Sequence, residues 1–193
     1  GSATDCGGVA CGWLAGGERA LSPNQEARPA GTAVSLVVIH GISLPPGVFG
    51  GGWVGAFFRD GLPASAHPYF AAIAGQRVSA HFFVFRSGRT VQFVGCDYRA
   101  WHAGRSAWQG QEHCNDFSVG IELEGCDDTP YAAAQYDALT ELIAALIQRY
   151  PIVALAGHCH IAPGRKTDPG PNFDWGRLGR CFPHLRSAAE DAP

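Results

Sequence analysis

A single β-sheet covered by helices, of the α/β or α+β class, is the fold this sequence predicts. Three observations carry the prediction: short β-branched apolar runs recur along the chain, one long stretch has helical apolar spacing, and Gly/Pro-rich segments separate them. Ser35-Leu-Val-Val-Ile-His40 is apolar, breaks at Gly41, and so reads as a buried strand with His40 at its tip. The runs 81–85 and 90–94 flank Arg86-Ser-Gly-Arg89, where Ser-Gly supplies turn chemistry, and together they read as a β-hairpin. Residues 118–124 form the next strand. Thr129 is then placed to cap, and Pro130 to open, a helix whose apolar face is Leu139, Leu142, Ile143, Leu146, Ile147 and Tyr150; it stops at Pro151. Residues 152–156 read as a short strand delivering Gly157-His158 to a Pro/Gly-rich loop, and Asp174 caps a last short helix. Strand order is not set by these patterns.

The length of 193 residues is about one domain's worth, and 46% hydrophobic with 16% charged residues suits a folded core rather than disorder. A balance of 14 Lys+Arg against 17 Asp+Glu leaves no basic field for a phosphate backbone, so no nucleic-acid partner is expected. The longest uncharged stretch, 29–58, is interrupted by glycines, Pro45-Pro46 and His40, so no membrane span is expected either. The 7 cysteines at 6, 11, 96, 114, 126, 159 and 181 are odd in number and contain no Cys-x-x-Cys, which fits reduced thiols in a cytoplasm. Gly1-Ser2 and the absence of methionine read as an expression scar, and a signal peptide removed from the natural start stays open. The expected organisation is an N-terminal scar and extension over 1–12, a folded domain over 13–186 and a tail over 187–193. No obligate protein partner is evident.

Chemistry concentrates where strands run out. Glu122 and Glu124 share one face of their strand while Val119, Ile121 and Leu123 occupy the other. Glu124 suits a solvated outer face, whereas Glu122 lies deeper in the apolar run, where a carboxylate needs a reason to be buried. His40, His158 and Asp168 offer two imidazoles and a carboxylate, a set that holds zinc and leaves a fourth tetrahedral position for water. Each has a bland alternative: a strand-end histidine bonded to backbone, and a turn aspartate before Pro169. His160 would face the same side as His158 in an extended segment, so either can be the ligand. Lys166 is the one lysine of the chain, in a loop stiffened by Pro163, Pro169 and Pro171, and is positioned to stabilise an oxyanion. A thiol hydrolase using Cys159 or Cys114 is the competing chemistry.

Several runs carry a resemblance: Val37-Val-Ile-His40, Ala66-His-Pro-Tyr-Phe70, Arg77-Val-Ser-Ala-His81, Arg99-Ala-Trp-His-Ala-Gly104, Cys114-Asn-Asp-Phe-Ser118, Gly120-Ile-Glu-Leu-Glu-Gly125 and Ala162-Pro-Gly-Arg-Lys-Thr-Asp-Pro-Gly-Pro171. Over roughly 13–175 the chain resembles the zinc-dependent N-acetylmuramoyl-L-alanine amidases that share a fold with peptidoglycan recognition proteins, and most of all those acting on 1,6-anhydromuropeptides. The resemblance implies a central mixed β-sheet flanked by helices and one zinc held by His40, His158 and Asp168. It implies a zinc-bound water attacking the amide between anhydro-N-acetylmuramic acid and L-alanine, with Glu122 as general base and Lys166 on the oxyanion. By the same matching, Trp101 lies against the anhydro-sugar, Arg77 meets a stem-peptide carboxylate, and Tyr69, His102 and His113 belong to the substrate site.

The implied role is a cytoplasmic cell-wall recycling hydrolase that lowers the muropeptides signalling β-lactamase induction, with an anhydromuramyl-peptide as substrate. Alternatives are a periplasmic amidase on intact murein and a non-catalytic peptidoglycan-binding module. The chain departs from the family at Gly41, where relatives often carry asparagine; at His113, where arginine is common; and at His160, which replaces asparagine or aspartate and reads as a supporting or structural residue. The glycine-rich region 47–61 is a candidate lid.

Overall fold

Alternating apolar residues build two long strands that pair side by side at the centre of the molecule. The computed structural model describes residues 11–188. In chain order the strands are β1 (Glu18–Arg19), β2 (Gln25–Ala27), β3 (Leu36–Ile42), β4 (Phe82–Val84), β5 (Thr90–Gln92), β6 (Tyr98–Ala100), β7 (Ala107–Trp108), β8 (Gln111–Glu112), β9 (Ser118–Glu124), β10 (Ala154–Gly157) and β11 (Arg186–Ser187). The helices are α1 (Trp53–Phe58), α2 (Pro68–Ile73), α3 (Ala133–Arg149), α4 (His158–Ile161) and α5 (Trp175–Cys181).

Seven strands form one mixed sheet in the order β1-β5-β4-β9-β3-β10-β11, parallel throughout except for the β4–β5 hairpin. The hairpin read from Ser-Gly is present, and β9 has the predicted limits. Val37, Ile39, Val119, Ile121, Leu123 and Leu155 point to one face, where α3 packs through Leu139, Ile143 and Leu146. Each of these side chains is almost fully buried and stabilises the fold by roughly 1.5–3 kcal/mol before entropy is counted. The opposite face is covered over Phe83 and Val91 by α1 and α2, and over Leu36 and Val38 by residues such as Ala103, Cys114 and Phe117.

Three local expectations are corrected. β3 runs two residues past His40, because Gly41 and Ile42 still pair with Leu123 and Glu124 of β9. α3 starts at Ala133 rather than at Pro130: Tyr131 swings into the core and bonds Pro169, and the Gln135 side chain accepts the Ala132 N–H instead. The last central strand begins at Ala154, and His158 opens the one-turn helix α4 rather than a loop. Asp174 caps α5, as expected, by accepting the Arg177 N–H at 2.9 Å.

Cys11 is disulfide-bonded, so the expectation of reduced thiols fails there. Cys96, Cys114, Cys126, Cys159 and Cys181 are free. Among the described residues no helix is long and apolar enough to cross a membrane.

Candidate functional site

The site is set by strand register. His40 on β3 lies directly opposite Glu122 on β9, and Gly157, the last residue of β10, lies opposite Ile39. The residue after Gly157 is therefore delivered beside His40, and that residue is His158. The three strands run in parallel, so all three groups emerge toward the carboxyl ends of neighbouring strands, where open sheets of this kind bind ligands.

Asp168 reaches the same point from the loop after α4, which is held by the Cys159 N–H donating to the Asp168 carbonyl at 2.9 Å and by Tyr131 donating to the Pro169 carbonyl at 2.7 Å. His40 Nδ1 is 3.0 Å from His158 Nδ1 and 3.3 Å from Asp168 Oδ2, and His158 Nδ1 is 3.3 Å from the same oxygen. Donors around a tetrahedral zinc with bonds of about 2.0–2.1 Å stand about 3.3–3.4 Å apart, so this triangle has the size of such a site. Among the described residues, these three are the group of His, Cys, Asp and Glu able to hold a metal ion.

The outer nitrogens of both histidines are engaged. His158 Nε2 donates to the Ala103 carbonyl at 3.1 Å, and His40 Nε2 is 2.9 Å from His102 Nδ1, whose own Nε2 is 3.1 Å from Ser118 Oγ. A carbonyl only accepts, so His158 carries its proton on Nε2 and turns a bare Nδ1 toward His40 and Asp168. Burial, and then the charge of His158, push His40 down to about 4, so its ring is a neutral ligand at neutral pH. For Asp168 burial works upward, but its short contacts with the His158 and His40 rings outweigh it and hold the carboxyl well below its ordinary range.

Glu122 stands beside this centre, its Oε1 3.7 Å from His40 Nδ1, and its buried Oε2 has no partner. Burial and then the Asp168 charge raise its pKa well above the ordinary carboxyl value, while Lys166 acts in the opposite direction. A carboxylate with a raised pKa and a free oxygen can accept and return a proton. Lys166 is exposed at the mouth of the same cavity, which measures about 490 Å³ and is also lined by Tyr69, Trp101, His102, Arg165 and Asp168.

One expectation changes in the structure, and two further histidines find their places. Glu124 is not on a solvated face: it is 4% exposed, and its two oxygens accept the N–H groups of Gly50 at 2.7 Å and Arg86 at 3.0 Å. His102 lines the cavity and is buried with both ring nitrogens bonded internally, one of them to His40. His160 accepts the Gly157 N–H at 2.8 Å and packs on Trp175, which makes it a structural residue of α4.

Trp101 is held as a platform by its indole N–H, which donates to Glu26 at 3.2 Å, and Arg77 lies over its ring while pairing with Asp60 at 3.4 Å. His113 is exposed and does not line the cavity. The thiol alternative has no support, because burial raises the pKa of both Cys114 and Cys159 and so disfavours the thiolate. Sequence reasoning missed Tyr131, which fills the space left by Gly41. It also missed Asn115, which bonds the backbone of His102 and Ala103, although Asn115 lies inside a recognised motif.

Comparison with known proteins gives a consistent result. A family model described as N-acetylmuramoyl-L-alanine amidase matches residues 30–171. The 1,6-anhydro-N-acetylmuramyl-L-alanine amidase AmpD of Citrobacter freundii is 56% identical over 169 residues, which is 86% of this chain and 90% of that protein. The crystal structure of a Se-Met AmpD derivative superposes with a TM-score of 0.85 at 54% identity, covering 88% of this chain and 96% of the other. The Escherichia coli amidase AmiD, solved in complex with the substrate anhydro-N-acetylmuramic acid-L-Ala-D-gamma-Glu-L-Lys, superposes with a TM-score of 0.59 at 30% identity, covering 81% of this chain and 60% of that one.

Proposed function

Since the chain belongs to the N-acetylmuramoyl-L-alanine amidase family, we propose that it hydrolyses the amide between 1,6-anhydro-N-acetylmuramic acid and the L-alanine of soluble anhydromuropeptides. The observation that carries this reading is the meeting of His40, His158 and Asp168 beside the unpaired Glu122 oxygen at the end of one cavity. Anhydromuropeptide is favoured as the substrate by the activity of amidases more than half identical to this chain.

His40, His158 and Asp168 are the residues that would hold zinc. Zinc in such a site supplies a Lewis acid that polarises the scissile carbonyl and makes water nucleophilic near neutral pH. Glu122 takes the proton from the attacking water through its free oxygen as the new C–O bond forms. It then gives that proton to the alanine nitrogen as the C–N bond breaks, leaving a lactyl carboxylate and a peptide with a free amine. Lys166, which lines the same cavity, donates to the carbonyl oxygen as it gains charge. Trp101, fixed by Glu26, offers a flat face to the sugar ring, with Tyr69 on the same wall. Arg77 is an anchor for a peptide carboxylate once it exchanges Asp60 for the ligand.

A cytoplasmic recycling role is supported by the free thiols, including exposed Cys181, while the disulfide at Cys11 is the feature that points to an oxidising compartment. The deciding experiment is incubation of purified anhydromuramyl-tripeptide, and separately of whole sacculi, with the protein before and after chelation and zinc return. Release of free tripeptide that stops with chelator and returns with zinc is expected. Cleavage of sacculi alone, or zinc binding without cleavage, overturns the substrate assignment.

A further inference from the structure

We propose that Asn115 is the positioning residue that orients both metal-directed histidines, acting through a single amide oxygen. Asn115 sits in the short turn Cys114–Asp116 that leads into β9, and it is buried. Its Oδ1 accepts the N–H of His102 at 3.1 Å and the N–H of Ala103 at 2.9 Å; two donors on one atom identify that atom as the oxygen. Each of these consecutive residues then holds one histidine. His102 does so through its ring, 2.9 Å from His40 Nε2, and Ala103 through its carbonyl, 3.1 Å from His158 Nε2.

Both arms fit a histidine that turns the same ring atom to the metal. On the Ala103 arm the acceptor carbonyl leaves His158 with a bare Nδ1. On the other arm a His40 that turns Nδ1 to the metal keeps its proton on Nε2, which then donates to His102 Nδ1, with His102 Nε2 in turn 3.1 Å from Ser118 Oγ. The segment is fitted closely to the sheet beneath it. A β-carbon on Gly120 would lie 2.5 Å from the His102 ring, so that glycine is what lets the ring reach His40. From outside, Arg165 straps the carbonyls of Ala103 at 2.7 Å and Arg105 at 2.8 Å. The Asn115 side chain bonds both arms at once. Removing its oxygen leaves two N–H groups without their acceptor and releases His102 and Ala103 together.

This inference rests on the metal-site reading above, and the experiment separates the two. Metal-free wild type, Asn115→Ala and Asn115→Asp are compared by zinc affinity in competition with a chromogenic chelator, by the visible spectrum of the cobalt(II) form, and by thermal unfolding. Asn115→Ala is expected to bind zinc about 10–100-fold more weakly, with an altered cobalt spectrum and a kcat that falls more than KM changes. Asn115→Asp keeps an oxygen that accepts both N–H groups and is expected to restore affinity and spectrum to near wild type. An Asn115→Ala protein that binds zinc as tightly as wild type with an unchanged spectrum overturns the inference, as does an Asn115→Asp protein as weak as Asn115→Ala. A wild type that binds neither metal overturns the metal-site reading itself and this inference with it. Should Asn115→Ala fail to fold, Arg165→Ala, at an exposed residue that loosens the Ala103 arm from outside, decides by the same zinc and cobalt readouts: weaker binding supports the inference and unchanged binding overturns it.

Discussion

A β-carbon on Gly41 would overlap the phenolic oxygen of Tyr131, which occupies the space beside the first metal-directed histidine and bonds the carbonyl of Pro169 next to Asp168. Gly125 widens the same slot, since a β-carbon there would overlap the Tyr131 ring edge. Gly41 thus leaves room for a tyrosine clamp on the aspartate loop. Gly41→Ala is expected to destabilise the protein by about 1–3 kcal/mol through overpacking, and Tyr131→Phe by about 1 kcal/mol through its lost hydrogen bond. The double variant should be more stable than the sum of the two losses, because the hydroxyl is the clashing atom and the next ring atom stands 3.4 Å away. Urea denaturation of the four proteins measures this, and simple additivity would refute the clamp.

Glu122 and Asp168 separate catalysis from metal retention. Asp168→Ala removes one side of the donor triangle and should lose bound zinc and activity together, measured by elemental analysis and tripeptide release. Glu122→Ala should keep zinc at wild-type affinity and lose about 10²–10⁴-fold in kcat, the usual scale for a general acid–base group. Lys166→Ala should keep zinc too and lose about 10²–10³-fold in kcat with little change in KM. An active, zinc-free Asp168→Ala protein would sink the metal assignment.

What could be read from the residues divides by range. β9 was legible to the residue because seven consecutive positions alternate cleanly, and α5 because Asp174 caps it locally. The start of α3 was not, since Thr129 and Pro130 satisfy local capping rules while Tyr131 answers to Pro169 far along the chain. Glu124 looked solvated because its cover comes from Gly50 and Arg86, on two other segments. The donor set was visible as residue types, but the choice of His158 over His160 came from resemblance; its geometric basis is that β10 ends one residue before the position opposite His40. The support of both histidines from 102–103 is likewise a fact of packing that spacing does not encode.

The glycine-rich stretch considered as a lid is tied down at Gly50. Its N–H donates to Glu124, Gly47 donates to Ser43 at 2.8 Å, and Phe49 lies under Arg86. Glu124→Ala should leave the Gly50 and Arg86 N–H groups without acceptors, costing roughly 1–3 kcal/mol each where they stay dry. Hydrogen exchange is the direct readout: strong protection at Gly50 in wild type and fast exchange there in Glu124→Ala are expected. Fast exchange at Gly50 already in wild type would restore the mobile-lid view.

His81 predicts how the protein responds to acid. Its ring is buried, Nε2 donates to the Tyr98 carbonyl at 2.8 Å, and Nδ1 accepts the Gly120 N–H at 3.0 Å, so the neutral form is the one the fold accommodates. Burial, then the charge of Arg28, push it down to about 3. The unfolded value is about 6.5, so between these pH values the unfolded chain binds a proton that the folded chain refuses. The stability His81 contributes is therefore fully present above about pH 6.5 and is lost as pH falls toward 3, at up to about 1.4 kcal/mol per pH unit. His40 and His102 in the metal-free protein act with the same sign, because burial lowers both. Comparing urea unfolding of metal-free wild type and His81→Asn from pH 7 to 5 isolates the residue. The variant should be less stable at pH 7 but show a shallower loss on acidification, by close to one proton. Parallel slopes would mean that His81 is protonated in the folded state, against the two hydrogen bonds that hold it neutral.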